Sequence, residues 1–545
     1  MSAATAADRA AAASRSGTLT GAASLLRTTL KHDGRLLAPW VVIAAALSGS
    51  SVLVYPWVFP TQQDREALAG AIGGNPALGL IFGPAHDLST ADGFNAWRAL
   101  ALGGFLAALG AIFAVTRATR GQEDSGQAEL LASGVLGRGS RLLTAVGMGL
   151  IGSFLLGLVA ALVTVLCGGA WGPSVLLCAT FTATGWMFTG VAAVTAQLGS
   201  DARTASSIAV GTLGVLFVLR GFAYSVEAPS WTIWANPLGW TMETRPAAGD
   251  RWWPILPTVA LTLLLLAVGF ALQARRDFGQ GAISPKAGPD RGTVRSPLRL
   301  ALRLNRGPII TWIIAFAGLG VVFGYFATSL PDLAKNDSGL QTFLGADGTT
   351  SKALVSAFLV TILSLVGIIA AVPGVQTMLK VRGEETEDRV EPLIATSVAR
   401  SRYLSANVLV AVGGPTLYVL VAGAVVGWLA SGSGLGVTFD DAFWQAAATV
   451  PAVWTVIAVS VAVVGARPAL SLAAWLGVLA SFALTLLGPT FGLDDWVLGI
   501  SPFWHLPRTQ ATSPDYTGLA WITLFTLGFL VLGFAGFRRR DLARQ

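Results

Sequence analysis

The chain has 545 residues, of which 53% are hydrophobic and only 12% are charged, and its formal net charge at pH 7 is +7. Soluble domains carry about 25% charged residues, so this composition excludes a water-soluble globular protein. The basic residues are also dispersed between apolar runs, whereas a nucleic-acid-binding protein concentrates them on one surface. We therefore expect no nucleic-acid partner.

Twelve apolar runs are long enough to cross the roughly 30 Å hydrocarbon core of a bilayer as helices. They are continuous, unlike the alternating ten-residue strands of a membrane barrel. The predicted fold class is therefore an all-α polytopic membrane protein. The runs are residues 37–58, 97–116, 142–168, 173–198, 205–225 and 254–273, then 308–329, 353–376, 404–429, 443–464, 468–489 and 515–536.

Residues 1–36 precede the first run and lack the uninterrupted apolar region of a signal peptide. We expect them to stay in the cytoplasm and to end in a helix that lies in the membrane interface. With this start, all but eight of the 36 Lys and Arg residues lie in or beside cytoplasmic segments, as the positive-inside rule requires. Both termini are therefore predicted to be cytoplasmic, with basic loops that contact membrane lipids.

Two long segments, one after the second run and one after the eighth, align without a gap at an offset of 262 residues. The sequence thus predicts two parallel six-helix repeats. We predict four parts. Residues 1–36 form an N-terminal segment with its connecting helix, and residues 37–273 form the first half. Residues 274–307 form a linker with a second connecting helix, and residues 308–545 form the second half. The aligned charged residues are Arg120, Glu123, Glu129 and Arg138, which correspond to Arg382, Glu385, Glu391 and Arg400.

Each aligned segment begins with acidic residues and ends with basic ones, which suits the dipole of one short helix. In the second copy, Pro392 is tolerated only in a first turn, so that helix is predicted to start near Glu391 or to be kinked. A membrane hairpin needs only a few residues to turn. We therefore interpret the additional length as a contact surface for a partner.

In the order of these elements, repeated twice, the chain resembles bacterial type 2 (type V) ABC exporter permeases, particularly the fused double-length permeases of polyketide-antibiotic and multidrug exporters. The resemblance implies that residues 120–138 and 382–400 are coupling helices that dock onto two copies of a separate ABC ATPase. It also implies a location in the bacterial plasma membrane. The chain has no G-x-x-x-x-G-K-[ST] phosphate loop, so ATP and Mg are expected on the partner and no cofactor on this chain.

The sequence indicates neither catalysis nor a metal site, because its three histidines, His32, His86 and His505, are scattered. The runs contain few ionisable residues, which favours a hydrophobic small-molecule substrate. Arg220 is the clearest exception, and such residues often mark function. It is a candidate for the substrate cavity together with Phe217, Phe222 and Tyr224, beneath an outer segment at residues 59–96; alternatively, it extends to the lipid headgroups.

Two other functions stay open from the residues alone. A secondary transporter driven by an ion gradient also has twelve spans in two halves, although it usually has buried acids for ion coupling. A permease that signals to the cell envelope usually carries a large outer domain, and no outer loop here exceeds about 40 residues. Both alternatives are less consistent with the paired acidic segments than an ATP-driven exporter is.

Overall fold

A computed structural model of the protein describes residues 19–73, 79, 81–132, 136–137, 139–225, 228–275, 281–283, 292, 294–334, 351–432, 437–487, 493–510 and 514–540. In these residues every regular element is a helix, which confirms the all-α fold class. Twelve helical segments among them are long and apolar enough to cross a membrane. The chain divides into two compact units, Met1–Gly288 and Pro289–Gln545.

The first unit begins with a short helix that a 3-10 turn at Gly34–Leu37 joins to the first long one. A π turn at Arg117–Gly121 later continues the second long helix. The helices are α1 (Ala22–Asp33), α2 (Ala38–Val58), α3 (Gln62–Gly73), α4 (Ala91–Thr116), α5 (Gln122–Asp124), α6 (Gln127–Ala132), α7 (Ser140–Leu166), α8 (Trp171–Leu198), α9 (Ala202–Ser225), α10 (Ser230–Ala235), α11 (Pro237–Met242) and α12 (Ile255–Arg275).

The second unit begins with a single long helix in place of a connecting helix and a separate span. A 3-10 stretch at Pro468–Trp475 and a π turn at Ala483–Leu487 flank one of its later helices. The helices are α13 (Pro297–Ala334), α14 (Ser351–Thr386), α15 (Glu391–Ile394), α16 (Arg400–Ser431), α17 (Phe439–Ala466), α18 (Leu476–Phe482), α19 (Asp495–Leu498) and α20 (Thr517–Arg539); a 3-10 turn at Pro502–His505 precedes the last.

The eleventh apolar run differs most from the prediction of one continuous helix. Its first part, Pro468–Trp475, is a 3-10 stretch in which Leu470 leaves helical geometry, with φ −99° and ψ 28°. Only then does α18 follow. Pro468 stands in the first turn of this stretch, where its missing N–H costs no hydrogen bond, so the irregularity lies at Leu470 and not at the proline.

Small residues allow the long helices of the first unit to approach closely. Gly149 and Gly157 on α7 have no room for a Cβ atom, because Thr189 Oγ1 and Thr182 Oγ1 on α8 occupy that space. Ser153, between them, lies against Gly185 of α8 in the same way. Gly149, Ser153 and Gly157 thus form the face on which α7 packs against α8.

Candidate functional site

The first aligned segment is two short helices instead of one. The long helix that contains α4 continues through the π turn into α5, which ends at Asp124. Gly126 then adopts φ +74°, a conformation that glycine reaches at little cost, and α6 starts at Gln127. The prediction of one helix is wrong here because the chain turns at this glycine.

The second aligned segment is broken in a comparable place. Helix α14 runs through Glu384 and Glu385 to Thr386, and Asp388 then adopts φ +57°. Helix α15 starts at Glu391 with Pro392 in its first turn, which confirms the predicted start. The leading acids lie at the end of a long helix and not at the start of a new one, so the predicted dipole arrangement is wrong.

Arginines, one of them fully buried, compensate for acids in this electrostatically unfavourable position. In the first unit the Arg120 side chain is only 1% exposed and donates from Nε to the Ala196 carbonyl oxygen over 2.6 Å. Its Nη1 lies 2.9 Å from Glu123 Oε2. Because Ala196 belongs to the last turn of α8, the guanidinium joins the first aligned segment to the end of the fourth candidate span.

In the second unit the corresponding acid, Glu385, is 3% exposed in its side chain and accepts from Arg540 Nη2 over 2.6 Å. Arg540 Nε also donates to the carbonyl oxygen of Gly465, in the last turn of α17, over 3.0 Å. Arg382, the sequence counterpart of Arg120, lies 3.4 Å from the same carboxylate. We call the Arg120–Glu123 and Arg540–Glu385 pairs, with their carbonyl acceptors, the two clamps.

The two clamps have the same arrangement of contacts, but their arginines occupy different positions in the repeat. Their acids match at the offset of 262 residues, whereas one arginine precedes its acid by one helical turn and the other follows α20. Further bonds secure the first segment. Arg141 lies 3.4 Å from Glu123, and Asp124 accepts from the backbone N–H of Ala202 at the start of α9 over 2.8 Å.

Hydrogen bonds also hold the turn between α8 and α9, next to the first clamp. Asp201 precedes α9 and accepts from the backbone N–H and the hydroxyl of Thr204, over 2.8 and 2.9 Å. Burial alone would raise the pKa of Asp201, but these hydrogen bonds and one from Ser200 lower it below its ordinary value. The charged carboxylate thus caps α9 beside the clamp.

The other predicted coupling residues divide between exposed and inward positions. Glu129, the third residue of α6, and Glu391, the first residue of α15, are both exposed. Leu130, beside Glu129, is 78% exposed. Arg400 instead donates to the Arg540 carbonyl oxygen within its unit, over 3.0 Å. Arg138 lies outside the described residues. Each segment therefore has an inward end held by a clamp and an exposed end.

Arg220 is buried in the first unit and does not extend toward headgroups. Its guanidinium carbon lies 4.3 Å from the centre of the Phe217 ring, and Nη2 donates to the Ile81 carbonyl oxygen over 2.7 Å. Nε is buried without a hydrogen-bond partner in the described structure. The arginine thus holds part of the outer segment against α9.

The predicted cavity residues do not all meet. Tyr224 donates to Glu243 Oε1 over 3.1 Å, close to Arg220 and on the same side of α9. Phe222 is 58% exposed on another face of that helix, because adjacent positions around a helix point in different directions. The structure thus places Phe222 apart from Arg220 and Tyr224, and a cavity lined by all four side chains stays a prediction.

Comparison with known proteins agrees with this architecture. The family described as "Multidrug efflux system permease Rv1217c, C-terminal domain" matches residues 65–272 and 294–538. The multidrug efflux system permease protein Rv1217c of Mycobacterium tuberculosis (strain ATCC 25618 / H37Rv) is 34% identical over 542 residues, which cover 97% of this chain and 96% of the relative. The chain belongs to this family of efflux permeases.

Membership of the Rv1217c family confirms the resemblance to ABC exporter permeases and the function as the permease subunit of an exporter. With its twelve apolar helices, this Rv1217c-type permease is a multi-pass membrane protein. Sequence reasoning missed the role of Arg540 in a clamp. The only sequence signal for it is that Arg-Arg-Asp ends the first half at residues 275–277 and recurs at residues 539–541.

Proposed function

We propose that this permease exports hydrophobic compounds with energy from two copies of a separate ABC ATPase, which bind ATP and Mg and dock onto the two coupling segments. The observation that carries the proposal is the pair of clamps. Each connects the inward end of a segment that also carries an exposed acid to the last turn of a long apolar helix. The name of the relative, a multidrug efflux system permease, supports a range of exported compounds and a partner component.

The clamps suggest how force would pass from the ATPase to the membrane. The exposed positions Glu129 and Glu391 would contact the ATPase, and closure of the ATPase dimer would displace them. Because Arg120 and Arg540 bond both to the segment and to a helix end, that displacement would move α8 and α17. Rigid-body movement of this kind is a common route between states of a transporter.

The proposed orientation follows from the same assignment. ATP is available in the cytoplasm, so the coupling segments and both termini would be cytoplasmic, in agreement with the distribution of Lys and Arg. The chain itself would carry out no chemical reaction. Its part would be to provide the path for the substrate and to transmit the movement of the partner.

Co-purification of the tagged chain with its ATPase tests the proposal. Wild type is compared with a variant carrying Glu129→Arg and Glu391→Arg, and with a control carrying Glu66→Arg and Asp440→Arg, two exposed acids predicted on the opposite side of the membrane. We expect the ATPase to be lost only from the first variant, because like charges then face the docking groove. Retention of the ATPase by that variant, or its absence from wild type, would contradict the proposal.

A further inference from the structure

An apolar groove opens on the outside of the first unit between α7, α8 and the start of α12. It encloses about 670 Å³, within the 300 to 1,000 Å³ range of small-molecule sites. Its lining is almost entirely hydrophobic and includes four indole rings, those of Trp171, Trp186, Trp252 and Trp253. In the predicted topology the groove lies at the outer ends of these helices.

The groove is built from restrained side chains. Trp186 donates from its indole nitrogen to the Leu150 carbonyl oxygen over 3.0 Å. Trp253 stacks on Trp234 with 4.9 Å between ring centroids and 14° between planes. Gly157 lies at the floor, where α7 and α8 touch. Two of the four indole rings are therefore held in place by specific contacts.

Two carboxylates flank the exposed rim residue Trp171. Asp92 accepts from the backbone N–H of Ala170 over 3.0 and 3.1 Å, and Asp250 Oδ2 lies 3.9 Å from the Cβ position of Gly172. The neighbouring arginines pair with a different acid: Arg245 lies 2.6 Å and Arg251 3.8 Å from Glu243 Oε2. In the part of the chain that the structure describes, no ion pair involves Asp92 or Asp250.

We propose that this groove binds lipophilic cations, with the apolar body among the indole rings and the positive charge beside Asp92 and Asp250. Indole faces attract cations, and the two carboxylates add charge complementarity at the rim. An anionic amphiphile would meet the same carboxylates at unfavourable short range. The inference rests on the proposed function only in taking the bound cation to be an exported compound.

Two probes of nearly equal shape and opposite charge separate the charge effect from apolar burial. Equilibrium binding of tetraphenylphosphonium and of tetraphenylborate is measured on the full-length chain in phosphatidylcholine nanodiscs, without ATPase or nucleotide. Ala179→Phe and Ala161→Phe each fill the groove at a lining position. Ala260→Phe is the matched control, because Ala260 is exposed on α12 and does not line the groove.

We expect saturable binding of tetraphenylphosphonium that weakens at least tenfold in either groove-filling variant and less than twofold in Ala260→Phe. Replacing Asp92 and Asp250 together by Asn should weaken the binding of tetraphenylphosphonium three- to tenfold and strengthen the binding of tetraphenylborate. Asp515→Asn, an exposed acid of the second unit, should change neither. Thermal melting of each variant verifies its fold.

Equal binding in Ala179→Phe, Ala161→Phe and Ala260→Phe would overturn the proposal. An equal effect of the Asn replacements on the binding of both ions would do the same. The measurement needs no ATPase. If the proposal of ATPase docking fails, the binding experiment on the groove is unaffected. If the groove does not bind the cation, the co-purification result is likewise unaffected.

Discussion

Glu385 accepts a hydrogen bond from Arg540, which lies 155 positions further along the chain, over 2.6 Å. The bond joins the second aligned segment to the residue that follows α20. Arg540 also donates to the Gly465 carbonyl oxygen at the end of α17. In the first unit Arg120 makes the corresponding contacts with Glu123 and with the end of α8. The two repeats thus reach one arrangement with different arginines.

Arg540→Ala should destabilise the second unit markedly. It would leave the nearly buried Glu385 carboxylate without this cation and the last carbonyls of α17 without a donor, and breaking a buried pair costs about 3–5 kcal/mol. The solvated Arg539→Ala is the control. Thermal unfolding in detergent, followed by tryptophan fluorescence, should show a clearly lower midpoint for the first variant only. Equal midpoints would show that Arg540 does not hold the segment.

Arg120 and Glu123 should be energetically coupled. Removing either side chain alone leaves the charge of its partner buried and unpaired by it. Arg120→Ala and Glu123→Ala should therefore each lower the free energy of unfolding by more than half as much as the double variant does. Arg117→Ala, at an exposed position one turn earlier, should have little effect. A double-mutant cycle on thermal midpoints measures the coupling. Simple additivity of the two single effects would argue against the first clamp.

Gly185→Ala should destabilise the first unit, because a Cβ atom there overlaps with Ser153 Oγ. Overpacking of this kind costs about 1–3 kcal/mol. Gly211 on α9 has no atom within 4 Å of its Cβ position, so Gly211→Ala should be neutral or slightly stabilising through its helix propensity. Melting temperatures of the two variants check the contrast, and a reversed order would contradict the packing described here.

Arg220→Met should loosen the outer segment while it preserves much of the side-chain volume. The Ile81 carbonyl would lose its donor, and the stacking on Phe217 would lose its cation. Hydrogen exchange measured by mass spectrometry should accelerate in residues 81–88 and stay unchanged in α7. Unchanged exchange in residues 81–88 would show that Arg220 does not restrain this segment.

Most of the fold follows from the sequence, because apolar run length is a strong signal in a membrane. The exceptions have local causes. Gly126 and Asp388 adopt positive φ and divide segments that charge patterning alone presents as single helices. The clamps were only partly predictable, because the repeated acids are visible in the sequence whereas the choice of Arg120 in one unit and Arg540 in the other depends on packing against α8 and α17.

Phe222 shows the same limit at the level of one side chain. It is only two positions from Arg220, yet it faces outward, and helical geometry rather than sequence proximity decides which residues meet. Glu243, the acid that Tyr224 contacts, lies 19 residues away on the chain. No periodic pattern connects the two, so only the structure identifies this pair.

The most direct test of the central claim separates docking of the ATPase from transmission of its movement. The complex of the chain with its ATPase is reconstituted with Glu123→Gln plus Glu385→Gln, which weakens both clamps and leaves Glu129 and Glu391 intact. ATP-driven uptake of a fluorescent hydrophobic substrate into inside-out vesicles is then measured beside ATP hydrolysis. The account predicts that the ATPase still binds and hydrolyses ATP while transport falls at least tenfold; transport at the wild-type rate would contradict it.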